Sequence, residues 1–170
     1  MDFTPGIFHM QLNQFIPQRT TRVRTTVAKQ LALYITMYSP LQMAADLPEN
    51  YEKYLDAFQF IVDVPVDWDD TKILEAEPGD FITIARKEKG KDNWFLGAIT
   101  DESSRTMSTT LSFLDDGAQY EATIYKDAPN ADWDTNPEAY VIEKKLVNSK
   151  TKLDISLAKG GGCAISIIKK

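Results

Sequence analysis

The sequence has one cysteine, Cys163, and one histidine, His9, among 170 residues. A single cysteine excludes an internal disulfide. Flanked by glycines and by Ala164, Ile165 and Ile167, Cys163 reads as a small buried hydrophobe. One histidine without a serine elbow or a neighbouring cysteine leaves a nucleophilic triad without its usual base. One His and one Cys, far apart in the chain, also fall short of the clustered ligands that a zinc site needs. Basic clusters are missing too. The net charge is −6, which argues against a phosphate-backbone partner and against anionic lipid. No signal peptide is legible, because "MDFTPGIFHMQLN" has no basic region followed by an apolar one. The longest apolar stretch, residues 27 to 48, holds Lys29 and Gln30 and is broken by Ser39-Pro40, at about half the ~20 residues of a membrane span.

What remains is an ordinary globular composition, 43% hydrophobic and 26% charged. Two textures meet near residue 65. Before it, Val23, Val27, Leu31, Tyr34, Ile35 and Tyr38 recur at helical spacing after Thr20 or Thr21, either of which can cap the helix. Ala28, Ala32, Leu33 and Met37 make that helix apolar nearly all round, unlike a surface helix. Ser39-Pro40 signals a restart, with one or two turns over Leu41–Ala45. Asp46-Leu47-Pro48 is a break. Tyr51, Tyr54, Leu55, Phe58 and Ile61 resume helical spacing, and Val64-Pro65 ends it.

From about residue 71 the period is two. "TKILEAE" and "FITIARKE" flank Glu77-Pro78-Gly79-Asp80, which is type II turn chemistry. "NWFLGAIT", "TMSTTLSFL", "AQYEATIYK", "AYVIEKKLV", "KLDISLA" and "CAISIIK" complete about eight strands. The expected fold is α+β: a short helical segment, residues 1–64, packed on an antiparallel β-sandwich, residues 65–170.

Few residues invite a chemical role. Gly160-Gly161-Gly162 precedes a strand rather than a helix, so it reads as a tight, flexible connection and not a phosphate loop. Asp67, Asp69 and Asp70, and then Asp127, Asp132 and Asp134, are nominal carboxylate pairs for glycosidic cleavage. Neither set has calcium-loop spacing, and both read as solvated loop acids. Trp94 alternates with Leu96 and Ala98, which is core packing. Trp133, in the loop "DAPNADWDTNP", is the better exposed candidate for stacking on a sugar.

The runs "QRTTRVRTTVAKQLALYITMYSPLQMAADLPENYE", "FQFIVDVPVDWDDTKILEAEPGDFITIARK", "NWFLGAIT", "AYVIEKKLV" and "LAKGGGCAISI" resemble glycoside hydrolase family 97, the α-glucosidases and α-galactosidases of Bacteroidetes and related bacteria. The resemblance implies the end of a (β/α)8 barrel and the C-terminal β domain of a larger enzyme, with Met1 an internal methionine of a longer frame or the edge of an excised piece. It places the catalytic and calcium-binding glutamates upstream, so no catalytic residue is carried over, and no cofactor is expected here; calcium is expected in full-length enzymes alone. Asp2 is the candidate for lining the sugar pocket of a whole enzyme. The expected role is a buttress of the barrel, inactive alone, in a protein that is periplasmic or secreted. The expected partners are that barrel or a second copy docking through residues 20–62, because an all-round apolar helix without its neighbours leaves an exposed patch. The alternative is a stand-alone carbohydrate-binding module using Trp133 and the acidic loop.

Overall fold

The computed structural model describes residues 4–170. Eight antiparallel strands follow three short helices. The helices are α1 (Val27–Thr36), α2 (Pro48–Tyr51) and α3 (Leu55–Asp63), the last two joined by a 3₁₀ turn at Glu52–Tyr54. The strands are β1 (Trp68–Glu77), β2 (Phe81–Glu88), β3 (Trp94–Thr100), β4 (Arg105–Thr110), β5 (Tyr120–Asp127), β6 (Tyr140–Val147), β7 (Lys152–Leu157) and β8 (Gly162–Lys169). Six form one sheet in the order β1-β2-β3-β8-β5-β6, and β4 pairs with β7 as a separate ribbon. The α+β expectation holds.

The large sheet is the middle of three layers. Leu96, Ala98, Ala122, Ile124, Ile165 and Ile167 pack under the ribbon's Met107, Leu153 and Ile155. On the other face Phe95, Tyr125 and Ala164 meet Leu31, Ile35 and Phe60 of the helical segment. Both faces of β3 and β8 are therefore buried, which is why "NWFLGAIT" and "CAISII" are nearly continuous apolar runs.

α1 is enclosed by its own chain. Gly97 and Gly162 let it lie directly on the sheet. A Cβ at Gly97 would stand 2.8 Å from the Ala32 carbonyl oxygen, and one at Gly162 would stand 2.5 Å from Lys29 Cα. The opposite side is covered by residues 5–10 and the 43–51 stretch. Gln30 Oε1 accepts the Gly6 and Ile7 N–H groups at 2.9 and 3.2 Å, and the Tyr34 hydroxyl donates to the Pro5 and Met43 carbonyls. The expected patch on this helix is thus corrected: α1 is apolar all round because it is sandwiched, and it offers nothing to a partner. The large apolar side chains that residues 20–62 do expose are Tyr38, Leu41, Met43, Leu47, Leu55 and Val62.

Two boundaries also differ from expectation. The cap is Thr26, whose hydroxyl accepts the Lys29 N–H at 3.2 Å. Thr20 and Thr21 lie instead in a stretch that pairs with residues 10–12, through Leu12 N–H to the Thr21 carbonyl and Val23 N–H to the Met10 carbonyl. Residues 41–45 form no helix. Between two prolines the segment is too short to recover the cost of nucleation, and the Ser39 hydroxyl instead closes a local turn with Leu41. The Pro78-Gly79 turn is as expected, with Gly79 at φ +94° and Asp80 N–H donating to the Glu77 carbonyl at 3.0 Å.

Candidate functional site

The acidic loop after β5 holds most of the sequence-predicted chemistry, and it starts with a buried carboxylate. Asp127 is 6% exposed, a correction to the solvated reading. Its Oδ2 accepts the Ala158 and Gly162 N–H groups at 2.9 Å each. Burial pushes its carboxyl above the usual range, opposed by those two amide bonds and by the charge of Lys29, while its buried Oδ1 has no hydrogen-bond partner among the described residues. The glycine run exists for this contact. A Cβ at Gly161 would fall 2.0 Å from Asp127 Oδ2. The β7–β8 connection is therefore pinned rather than free, and the group that its amides face is itself a carboxylate.

Trp133 is half-buried. Its N–H donates to the Lys159 carbonyl at 3.2 Å, and its side chain lies over Gly160, where a Cβ would come within 2.8 Å. The Arg22 and Arg24 guanidiniums stand 5.8 and 5.9 Å from the ring centroid. Arg22 also pairs with Asp134 at 2.7 Å and donates to the Trp133 carbonyl at 3.1 Å. This bracket ties the segment leading into α1 to the sandwich. Asp2 lies outside the described residues.

The remaining acids divide clearly. Asp132 Oδ1 accepts the Asp134 and Thr135 N–H groups and shapes its own loop. Asp67 pairs with Lys89 and Asp70 with Lys72 at the surface, and Asp69 accepts the Gly90 N–H, so these acids are solvated as expected, but Asp69 and Asp70 belong to β1 and not to a loop. Among the described residues no three His, Cys, Asp or Glu side chains gather as a metal site. Cys163 is fully buried, and burial pushes its thiol up. Trp94 is buried against Phe113 with ring centroids 4.6 Å apart. His9 Nε2 lies 3.1 Å from Asn13 Oδ1.

One residue passed unnoticed in the sequence. Asp46 gathers four donors: the Phe8 and His9 N–H groups at 2.7 Å each, Leu47 N–H at 2.8 Å and the Asn50 amide at 2.6 Å. Burial would raise its carboxyl, but these bonds outweigh it and hold it below the ordinary range. Leu47 and Asn50 are local partners, but the two amides that make Asp46 a hub, Phe8 and His9, lie 38 and 37 residues away.

Two clefts flank these clusters. One, of about 350 Å³, is lined by Ile7, Leu12, Phe15, Ile16 and Leu47, with His9, Arg19 and the saturated Asp46 at its edge. Phe15 is 81% exposed. The other, of about 670 Å³, lies between the start of β4, β7, the end of β5 and the acidic loop, and its walls combine charged and hydroxylated side chains with Ala128, Pro129, Ala131, Leu157 and Ala158. No described helix is long and apolar enough to cross a membrane.

Comparison with known proteins places this architecture. Residues 67–168 match the family model described as "Glycosyl-hydrolase 97 C-terminal, oligomerisation". Among curated proteins, a retaining alpha-galactosidase of Bacteroides thetaiotaomicron is 39% identical over 169 residues, 98% of this chain and 25% of that protein. A probable retaining alpha-galactosidase of Streptomyces bingchenggensis is 29% identical over 164 residues, 96% of this chain and 23% of its own length. Among solved structures, a glycoside hydrolase family 97 enzyme from Pseudoalteromonas sp. strain K8, in complex with panose, superposes with a TM-score of 0.94 at 51% identity, covering 100% of this chain and 26% of that one. A beta-arabinopyranosidase follows at 25% identity and a TM-score of 0.77, covering 98% and 25%. The chain thus spans about a quarter of the length of the relatives it matches.

Proposed function

From a chain that belongs to glycoside hydrolase family 97 and corresponds to the C-terminal portion of its enzymes, we propose a buttress that docks on a catalytic barrel and takes no part in bond cleavage itself. The whole protein, on this reading, hydrolyses α-glycosidic bonds of glucosides or galactosides outside the cytoplasm. The general acid, its partner carboxylate and any calcium belong to the preceding polypeptide, since hydrolysis needs two placed carboxylates.

The observation that carries the reading is the outer surface of the helical segment. α1 is sealed, yet Phe15, Ile16, Leu41, Met43, Leu55 and Val62 of the N-terminal segment are each about half exposed or more. We take these side chains as the docking face, since apolar residues gathered at a surface mark interaction sites. The barrel is its first occupant, and a second copy is the competing one. The matched family model names oligomerisation for residues 67–168, so self-association through the sandwich is compatible with barrel docking through the helices.

The test is turnover of aryl α-glucosides and α-galactosides by the chain alone and after mixing with a polypeptide equivalent to the preceding part of the relatives. Activity should need the added polypeptide. Hydrolysis by this chain alone would overturn the proposal.

A further inference from the structure

We propose that β6 is a dimerisation edge: a second copy of this chain pairs with it antiparallel about a two-fold axis, so that the two large sheets become one. β6 ends the sheet, with β5 on one side and no strand on the other. Ala128 N–H donates to the Ala139 carbonyl at 3.1 Å, in register with the β5–β6 ladder. Alternation then turns the backbone polar groups of Val141, Glu143 and Lys145 toward β5. Those of Ile142, Lys144 and Leu146 turn outward, and no group among the described residues bonds them. The opposite edge is guarded. β1 has register breaks between Trp68 and Asp70 and between Ile73 and Glu75, and it carries Asp69, Asp70, Glu75 and Glu77 against Lys72 alone. β6 pairs with β5 without a break.

Charges on an edge strand ordinarily repel another strand. On β6 they are of both signs and match themselves. Opposed residues of an antiparallel pair share a face, so the two-fold axis must pass at a residue and not between two. With the axis at Lys144, Glu143 faces Lys145 of the second copy, Ile142 faces its Leu146, and each contact occurs twice. Glu143 Oε1 already pairs with Lys126 at 2.7 Å, which leaves Oε2 for the incoming ammonium. Leu146 is 59% exposed, so the pairing covers an apolar side chain that the protomer leaves open. The single unfavourable pair is Lys144 against its own copy. Moving the axis to Glu143 sets that carboxylate on itself and Ile142 against Lys144. Moving it to Ile142 sets Val141 against Glu143, and moving it to Lys145 sets that ammonium on itself. Cross-strand pairing therefore selects one register.

The experiment is sedimentation of the full chain across a concentration series, with circular dichroism to confirm folding. The wild type should dimerise reversibly. Glu143→Lys and Lys145→Glu each set like charges opposite one another, and each should raise the dimer dissociation constant about ten-fold. Mixed in equal amounts, the two variants set opposite charges at both contacts and should associate about as tightly as the wild type. Amide exchange on the wild type is the second readout. Ile142, Lys144 and Leu146 should gain protection as concentration rises, while Val141, Glu143 and Lys145 stay protected throughout. A monomer at about 1 mM, a dimer indifferent to both substitutions, variants that fail to recover on mixing, or no concentration-dependent protection at the three outward amides would overturn the proposal. Exchange needs no variant, so it decides the matter even if a substitution impairs folding. Neither readout involves barrel docking through the helical segment, which turnover tests.

Discussion

Gly97→Ala is the sharpest perturbation of the contact between α1 and the sheet. In an unconstrained strand the change would help: glycine in a strand interior costs roughly 0.5–1 kcal/mol relative to alanine. Here the new methyl would stand 2.8 Å from the Ala32 carbonyl oxygen, 3.0 Å from Ile35 Cβ and 3.1 Å from Thr36 Cγ2. The first two are backbone or backbone-attached atoms and cannot swing aside. Overpacking a closed core costs about 1–3 kcal/mol, which exceeds the strand gain. The net expectation is a loss of about 1–2 kcal/mol. At about 2–4 °C per kcal/mol for a chain of this size, Tm should fall by about 2–8 °C. The assay is thermal unfolding followed by far-UV circular dichroism, checked by the urea midpoint. Thr36→Ser in the same background removes one of the three contacts and should recover part of the loss, leaving the Ala32 clash. An unchanged or raised Tm in Gly97→Ala would show that the helix does not lie this close to β3, and the three-layer account would fail.

Asp46→Asn should cost about 1–3 kcal/mol at neutral pH by weakening bonds to a fourfold-satisfied carboxylate. Because its folded carboxyl is held low, its contribution is present above the ordinary carboxylate value of about 4 and is lost as pH falls through the folded value. Denaturant titrations at several pH values should therefore show a shallower acid loss in the variant than in the wild type. Phe60→Ala removes a ring packed at 6.2 Å from Phe95 and 5.3 Å from Tyr125, and should cost about 3–5 kcal/mol by urea unfolding. Phe15→Ser with Leu41→Ser touches exposed side chains, so stability should move by no more than about 0.5 kcal/mol while binding to the barrel polypeptide weakens in sedimentation. Cys163 should resist thiol reagents in the native protein and react on unfolding.

The strands were legible because their signals are local. Pro78-Gly79 fixes a turn, and alternation such as Leu153-Asp154-Ile155 marks a strand with one buried face. The all-round apolar α1 was legible as a buried helix, but its cover was not. The cover comes from residues 5–10 and from β3 and β8, which sequence spacing does not connect. Asp127 reads as a solvated acid for the same reason: its donors, at Ala158 and Gly162, lie over 30 residues away. The triple glycine was the available clue, since three residues without side chains before a strand announce a close backbone approach. Trp133 was recognised as distinctive, but its environment is set by Arg22, Arg24 and Gly160, none of them near it in sequence.

The most direct test of the central claim is amide hydrogen exchange on the chain alone and mixed with the preceding polypeptide. The account expects Val27–Thr36 to be slow in both samples, and residues 14–16 and 41–43 to be fast alone and slow in the mixture. Fast exchange of Val27–Thr36 in the isolated chain, or no gain of protection at 14–16 and 41–43 on mixing, would contradict it.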